Sequence, residues 1–338
     1  MEQSLLTGIV LTLMAGLMSG NCMLPVKFTR SWKWENIWLV FSVVSLVILP
    51  WALAIALVNH LSETYRALSF HQLAIPVLLG TGWGIAQVLF GISVKRLGLG
   101  VAYAIIVGLG AVLGTLVPLF VERRTAGKEH AMGYVLIGVA VMVGGIVLTA
   151  WGGQIRERAA PSIAQTVFHQ GYPAAITLAV LCGIMAPMLN YSFAFGQDIA
   201  REAVLHGNPA LHAAYAVWPI GLAGGFLPNL AFSLYLISRN GTWSWFRSVS
   251  PDLFWSFLMA VLWMGAFALY GMSVSYLGSL GTSIGWGLFQ IFMIMTATLS
   301  GVCTGEWRHA PRLATLLLGL GLTCLTGATV LLALGNRS

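Results

Sequence analysis

Gly91-Ile-Ser-Val-Lys-Arg-Leu-Gly98 recurs 180 residues downstream as Gly271-Met-Ser-Val-Ser-Tyr-Leu-Gly278. Both copies fit the pattern Gly-x-Ser-Val-x-x-Leu-Gly. At the same offset Trp83 falls on Trp263 and Phe90 on Tyr270. Each copy closes one long apolar segment and opens the next. A repeat in matching hydropathic context is the mark of an internal duplication, and it registers the two halves of the chain against one another.

The segments around the repeat identify its setting. The chain has 338 residues, of which 58% are hydrophobic and 8% charged, with a mean hydropathy of +0.86. Water-soluble domains carry roughly 25% charged residues, and apolar runs of about 20 residues are long enough to cross a bilayer. Such runs recur from end to end. The pattern predicts an all-α polytopic membrane protein with ten transmembrane helices near 4–26, 36–58, 72–94, 99–121, 131–151, 173–195, 211–237, 253–276, 280–302 and 312–334. The net charge of +7 sits in short loops, so it speaks to topology and not to nucleic acid. Cys22, Cys182, Cys303 and Cys324 lie in apolar segments without metal-ligand spacing, which fits small buried hydrophobes. The acidic Met1-Glu2 start argues against a cleaved signal peptide.

Five spans per half is an odd number, so duplicated halves must enter the membrane in opposite senses. The expectation is therefore two inverted five-helix repeats, over 1–155 and 173–338, joined by a loop at 156–172. This arrangement is common among transporters, with the substrate held near the midplane between the halves. The loops after spans 1, 3, 5, 7 and 9 hold 3, 2, 2, 2 and 2 Lys or Arg, Arg312 at the edge of span 10 being counted with the last, against 6 elsewhere. Positive residues favour the cytoplasm, which puts both termini outside. The 39 glycines concentrate in the spans, with four-residue spacings at Gly16/Gly20, Gly80/Gly84, Gly110/Gly114, Gly221/Gly225 and Gly281/Gly285. Packing of helix backbones in lipid accounts for most of them.

No nucleophile motif, carboxylate pair, phosphate-binding loop or metal spacing stands on a plausible surface, which disfavours an enzyme. Neither a cofactor nor an obligate protein partner is expected. What remains is a set of amides inside the spans, Asn21, Gln87, Asn190, Asn229 and Gln290, with Trp83, Trp263, Tyr270 and Trp286 beside them. Taken singly, each amide reads equally well as an interhelical hydrogen bond, worth about 0.6 kcal/mol. Together, on repeat-related spans, they suggest a shared polar cavity. Amides both donate and accept, as hydroxyls do, and aromatic faces cover the apolar side of a sugar ring. No acidic residue lies deep within a span, which argues against a cationic substrate. Proton coupling would then fall to span-end groups, with Lys27 and Glu35 the candidates. A snorkelling lysine and a helix N-terminal acid are their blander readings.

These residues resemble a known family. Lys27, Trp32-Lys33-Trp34-Glu35-Asn36-Ile37-Trp38 and Ile48-Leu49-Pro50-Trp51-Ala52 are similar to the bacterial L-rhamnose–proton symporters. So are Trp83-Gly84-Ile85-Ala86-Gln87, Asn229-Leu230, Trp263, Ile284-Gly285-Trp286 and Glu306-Trp307. The resemblance implies a ten-helix inner-membrane importer of a 6-deoxy sugar with protons, in the drug/metabolite transporter superfamily. Gln87, Asn21, Asn190 and Phe289 depart from the family's enterobacterial pattern. Two rival readings are an exporter of amino acids or other metabolites and a membrane sugar sensor that moves nothing.

Overall fold

The computed structural model describes residues 2–97, 99–122, 129–159, 172–247, 251–278 and 281–337. Among these residues are ten helical stretches long and apolar enough to cross a membrane. The first is α1 (Glu2–Asn21), completed by a 3-10 turn at Leu24–Phe28. The second begins as α2 (Trp34–Val43), widens into a π turn at Val44–Ile48 and continues as α3 (Leu49–Leu57). The short α4 (Leu61–Ala67) leads to α5 (Phe70–Leu97), α6 (Leu99–Glu122) and α7 (Glu129–Ala159). The sixth span is broken into α8 (Tyr172–Met185), α9 (Met188–Phe195) and α10 (Gln197–Leu205). After α11 (Ala210–Ala213) come α12 (Val217–Asn240), α13 (Pro251–Leu277), α14 (Gly281–Cys303) and α15 (Arg312–Arg337).

Proline explains the interruptions. It lacks an N–H and its ring collides with the carbonyl one turn back. Pro25 sits in the 3-10 turn, Pro50 follows the π turn and Pro187 separates α8 from α9. The repeated octapeptides close α5 and α13 as expected. Gly278 turns the chain at φ +76°, a left-handed conformation that favours glycine; Gly98 lies outside the described residues. Two elements outrun the sequence pattern. α7 continues to Ala159, with Arg156 and Arg158 in a last turn where the helix dipole favours cations. The sixth span continues through α10, whose Ile199, Ala200 and Ala203 are buried although the segment is polar overall.

Packing brings the halves together pairwise. α1 lies against α13 and α14, α8 against α5 and α6, α12 against α5 and α2, and α7 against α15. Backbones touch along the glycine faces. A β-carbon at Gly80 would collide with the carbonyl oxygen of Gly221, and one at Gly84 would stand 2.5 Å from that of Gly225. On the α1–α14 seam a β-carbon at Gly16 would lie 2.9 Å from the Met293 amide nitrogen, and Thr296 donates to the Gly16 carbonyl at 3.0 Å. Lipid tails supply no hydrophobic drive between helices, so this close approach is the main source of cohesion.

Replacing Gly80 by Ala should lower the thermal midpoint of the solubilised protein, by about 1–3 kcal/mol of overpacking. Ala at Gly144, where a β-carbon meets nothing within 4 Å, should leave it unchanged or slightly raised. Equal midpoints for the two variants would contradict the seam.

Candidate substrate site

Trp83 and Trp263 stand halfway along α5 and α13. Their rings stack at 5.5 Å with 26° between planes. Gly225 makes room for Trp83: a β-carbon there would lie 2.7 Å from its ring. From Trp263 an aromatic column continues to Phe267 at 4.4 Å and from there to Phe289 at 5.4 Å. Phe289 touches Tyr270 at 5.4 Å and Trp286 at 5.7 Å. The four aromatic residues expected from the sequence therefore belong to one buried cluster.

The amides divide into two kinds. Pro118 lies inside α6, so the Gly114 carbonyl one turn back has no helical donor. Asn190 supplies one: its Nδ2 donates to Gly114 at 3.0 Å and to the Thr282 carbonyl at 2.9 Å. Its Oδ1 accepts the Tyr270 hydroxyl at 2.6 Å. Trp286 Nε1 likewise donates to the Gly110 carbonyl at 3.2 Å. Asn21 bonds the Leu17 carbonyl and accepts from Ser300, and Asn229 accepts from Trp38 Nε1 while donating to the Gly225 carbonyl. These amides are engaged. Gln87 and Gln290 make no hydrogen bond among the described residues. Gln87 follows Trp83 by one helical turn and Gln290 follows Trp286 by one turn, so each shares a helix face with its indole. Gln290 is buried and Gln87 half-buried, and both amides keep their donors and acceptors for a ligand offering hydroxyls.

Charges gather at the ends of the bundle. Lys27 pairs with Glu306, which also accepts from Arg156 at 3.0 Å, tying the ends of α1 and α7 to the turn after α14. Arg156 lies over the Trp307 ring at 4.8 Å. Beside them, buried Asp252 at the start of α13 accepts the backbone N–H groups of Arg30 at 2.9 Å and of Ser31 and Trp32 at 2.7 Å. Such a nest of amides satisfies a desolvated carboxylate. Glu35, 6% exposed, accepts from Asn240 at 2.9 Å and Thr242 at 3.2 Å. Lys27 and Glu35 thus share one end of the bundle, each with partners and neither among the central aromatics. At the other end Asn208 and Asn59 exchange two hydrogen bonds, at 2.7 and 2.9 Å, and Gln72 donates to Asp198 at 3.3 Å. Gln72 and Asp252 are 180 residues apart, the offset of the repeat.

Over residues 1–338 the chain matches the family described as L-rhamnose-proton symport protein (RhaT). The chain belongs to this family. It is similar to an L-rhamnose-proton symporter of Klebsiella pneumoniae subsp. pneumoniae, 27% identical over 93% of each chain. One from Cronobacter sakazakii is 26% identical over 99% of each chain, and one from Mannheimia succiniciproducens 23% over 92%. A symport family is a transporter family, so the chain is not an enzyme. Ten apolar spans agree with membership in such a family.

Sequence reasoning did not single out Asp252 or Asn208, because their partners lie about 220 and 150 residues away along the chain. Lys27 holds the Glu306 carboxyl below the ordinary glutamate value, first by its hydrogen bond, and Arg156 adds to the effect. A depressed carboxylate contributes stability that is present above its ordinary value, about 4.3, and is lost as the pH falls through the depressed one. Glu306→Gln should therefore lower the thermal midpoint at neutral pH, by less than about 1 kcal/mol given its exposure. The gap to the unmodified protein should close in acid. A gap of constant size across that range would contradict the ion pair.

Proposed function

We propose that the protein imports L-rhamnose together with protons across a bacterial inner membrane by alternating access. The observation that carries the site is the pair Gln87 and Gln290, without a hydrogen-bond partner among the described residues and each one helical turn from an indole of the buried aromatic column. These two amides would bond sugar hydroxyls, each able to donate and accept. Trp83, Trp263 and Trp286 would face the ring, and the phenylalanines of the column would take the 6-methyl group. Asn190, Tyr270 and Asn21 join the site as groups whose present bonds shape it and exchange for sugar contacts as the bundle rocks.

Inverted repeats suit this reading. Exchanging the first five spans for the last five turns the α1–α13 and α1–α14 contacts into α8–α5 and α8–α6, and the α12–α5 contact into α2–α13. The pairs α2–α12 and α7–α15 map onto themselves. Residues related by a twofold axis can touch only beside that axis, and Trp83 and Trp263 touch. This supports a pseudo-twofold axis through the middle of the bundle, where substrates bind in such transporters, and with it placement in the drug/metabolite transporter superfamily. The end bearing Lys27, Arg30 and Lys33 would be cytoplasmic, with both termini periplasmic.

The proton-linked groups we favour are Glu35 and Lys27. Glu35 is a buried carboxylate bonded to the end of α12, so domain rocking would change its partners. Lys27 is bonded to Glu306 across the α1–α14 seam. No protein partner is needed by this scheme, only the sugar, the proton and the bilayer.

Purified protein in liposomes should accumulate labelled L-rhamnose when the proton gradient runs in the import direction, and only equilibrate without it. Absence of gradient-driven accumulation would refute coupling. Glu35→Gln should abolish accumulation while sparing counterflow exchange. Gln87→Ala and Gln290→Ala should each raise KM by about tenfold or more, the equivalent of roughly 1.4 kcal/mol. Unchanged KM in both would remove the glutamines from the site.

A further inference from the structure

Polar bonds between the halves close both ends of the bundle, and bonds at one end match bonds at the other. At the end bearing Lys27, Asp252 in the first turn of α13 accepts the backbone N–H groups of Arg30, Ser31 and Trp32, which lie between α1 and α2. At the opposite end Gln72 in the first turn of α5 donates to Asp198 of α10 at 3.3 Å. Asp252 and Gln72 correspond at the 180-residue offset, each 11 residues before its tryptophan, Trp263 or Trp83. A second match joins the second span to the seventh. Glu35 at the start of α2 accepts from Asn240 at the end of α12, and Asn59, past α3, exchanges two bonds with Asn208, ahead of α11. Exchanging the first five spans for the last five carries these bonds at one end onto those at the other.

The corresponding bonds of Asp252 and Gln72 differ in strength. Asp252 is 1% exposed, and its carboxylate takes donors at 2.9, 2.7 and 2.7 Å. Charge-assisted hydrogen bonds are about twice as strong as neutral ones, and a low local dielectric strengthens them further. Gln72 has less to offer the other half. Its Oε1 is spent on the Ser69 N–H and hydroxyl, at 2.9 and 2.8 Å, just ahead of α5. Its Nε2 meets a carboxylate whose side chain is 39% exposed and is shared with Arg201 at 3.0 Å.

We infer that Asp252 and Gln72 are corresponding gate residues: Asp252 holds the Lys27 end shut, Gln72 holds the opposite end, and their inequality makes the sugar-free protein open at the Gln72 end. The inference deepens the alternating-access reading and rests on it. Both residues lie roughly 16 Å along their helices from the tryptophan pair. They therefore set which face admits the sugar and not how tightly the sugar is held. With the Lys27 end cytoplasmic, as proposed above, the protein waits open to the outside, the state in which an importer takes up its load.

Two variants test the gates. Asp252→Asn removes the charge from one, and Gln72→Glu keeps the acceptor for Ser69 while setting a second carboxylate against Asp198. Half-saturation by L-rhamnose is read from each face by gradient-free exchange, in right-side-out and inverted membrane vesicles. Apparent affinity at a face scales with the fraction open there, so the ratio of the two values reports which end opens. Asp252→Asn should move that ratio about tenfold in favour of the Lys27 face, and Gln72→Glu should move it the opposite way. A ratio that stays fixed in either variant, or moves the same way in both, overturns the inference. Backbone amide exchange gives a reading without sugar, because the Asn59 N–H is bonded to Asn208 and not to Gln72. In Gln72→Glu, exchange at Asn59 should rise relative to exchange at Arg30, Ser31 and Trp32. Equal acceleration at both ends would mean that Gln72 only stabilises the fold, and an unchanged ratio would likewise overturn the gate. Should Asp252→Asn fail to fold, as judged by size exclusion, Gln72→Glu decides alone. Unmodified protein that moves no L-rhamnose refutes the sugar reading, and amide exchange then decides the gates.

Discussion

Backbone against backbone is the contact on which the rest of this bundle depends. Gly80 and Gly84 on α5 meet Gly221 and Gly225 on α12 with no side chain between them. The approach fixes where α5 can lie, and Gly225 then leaves the space that Trp83 fills. Trp83 in that position reaches Trp263 from the other half. Gly16 and Gly20 do the same for α1 against α14. Seams of this kind hold helices together by dispersion and short polar contacts, and each residue that touches across one has two neighbours to satisfy.

The polar groups follow a second constraint, that nothing in hydrocarbon goes unpaired without cost. Pro118 frees the Gly114 carbonyl, and Asn190 answers it while receiving the Tyr270 hydroxyl. Four elements, α6, α9, α13 and α14, are pinned by that one side chain. Gln87 and Gln290 stand apart because no group among the described residues answers them. An amide without a partner beside stacked aromatics is where a polyol can gain most from binding. Charges and paired polar groups keep to the two ends, where Asp252 and the Lys27–Glu306–Arg156 cluster join the halves on one side and the amide pair Asn208 and Asn59 on the other. Rocking of one half against the other would have to break the bonds at one end while keeping those at the other.

Much of this was legible in the sequence. Span number and order follow from hydropathy alone, and the octapeptide repeat marks the helix ends at Leu97 and Leu277. The offset that equates Trp83 with Trp263 points to the rings found face to face. The amides were visible as a class, but not which were spent: Asn190 and Gln87 look alike until Pro118, by lacking an N–H, leaves a carbonyl open to one of them. Lengths at the ends were underestimated because polarity, which marks a loop in most of the chain, is tolerated in α7 and α10 by helix-dipole and amphipathic effects. Asp252 left no local signal, since what defines it is a distant stretch of backbone.

The most direct test of the central claim is a structure of the protein with L-rhamnose bound in a lipid environment. The account predicts the sugar between the halves, with hydroxyl oxygens within about 3.2 Å of the Gln87 and Gln290 amides and its ring against the Trp83, Trp263 or Trp286 indole. Sugar held elsewhere, with both glutamines unengaged, would contradict it.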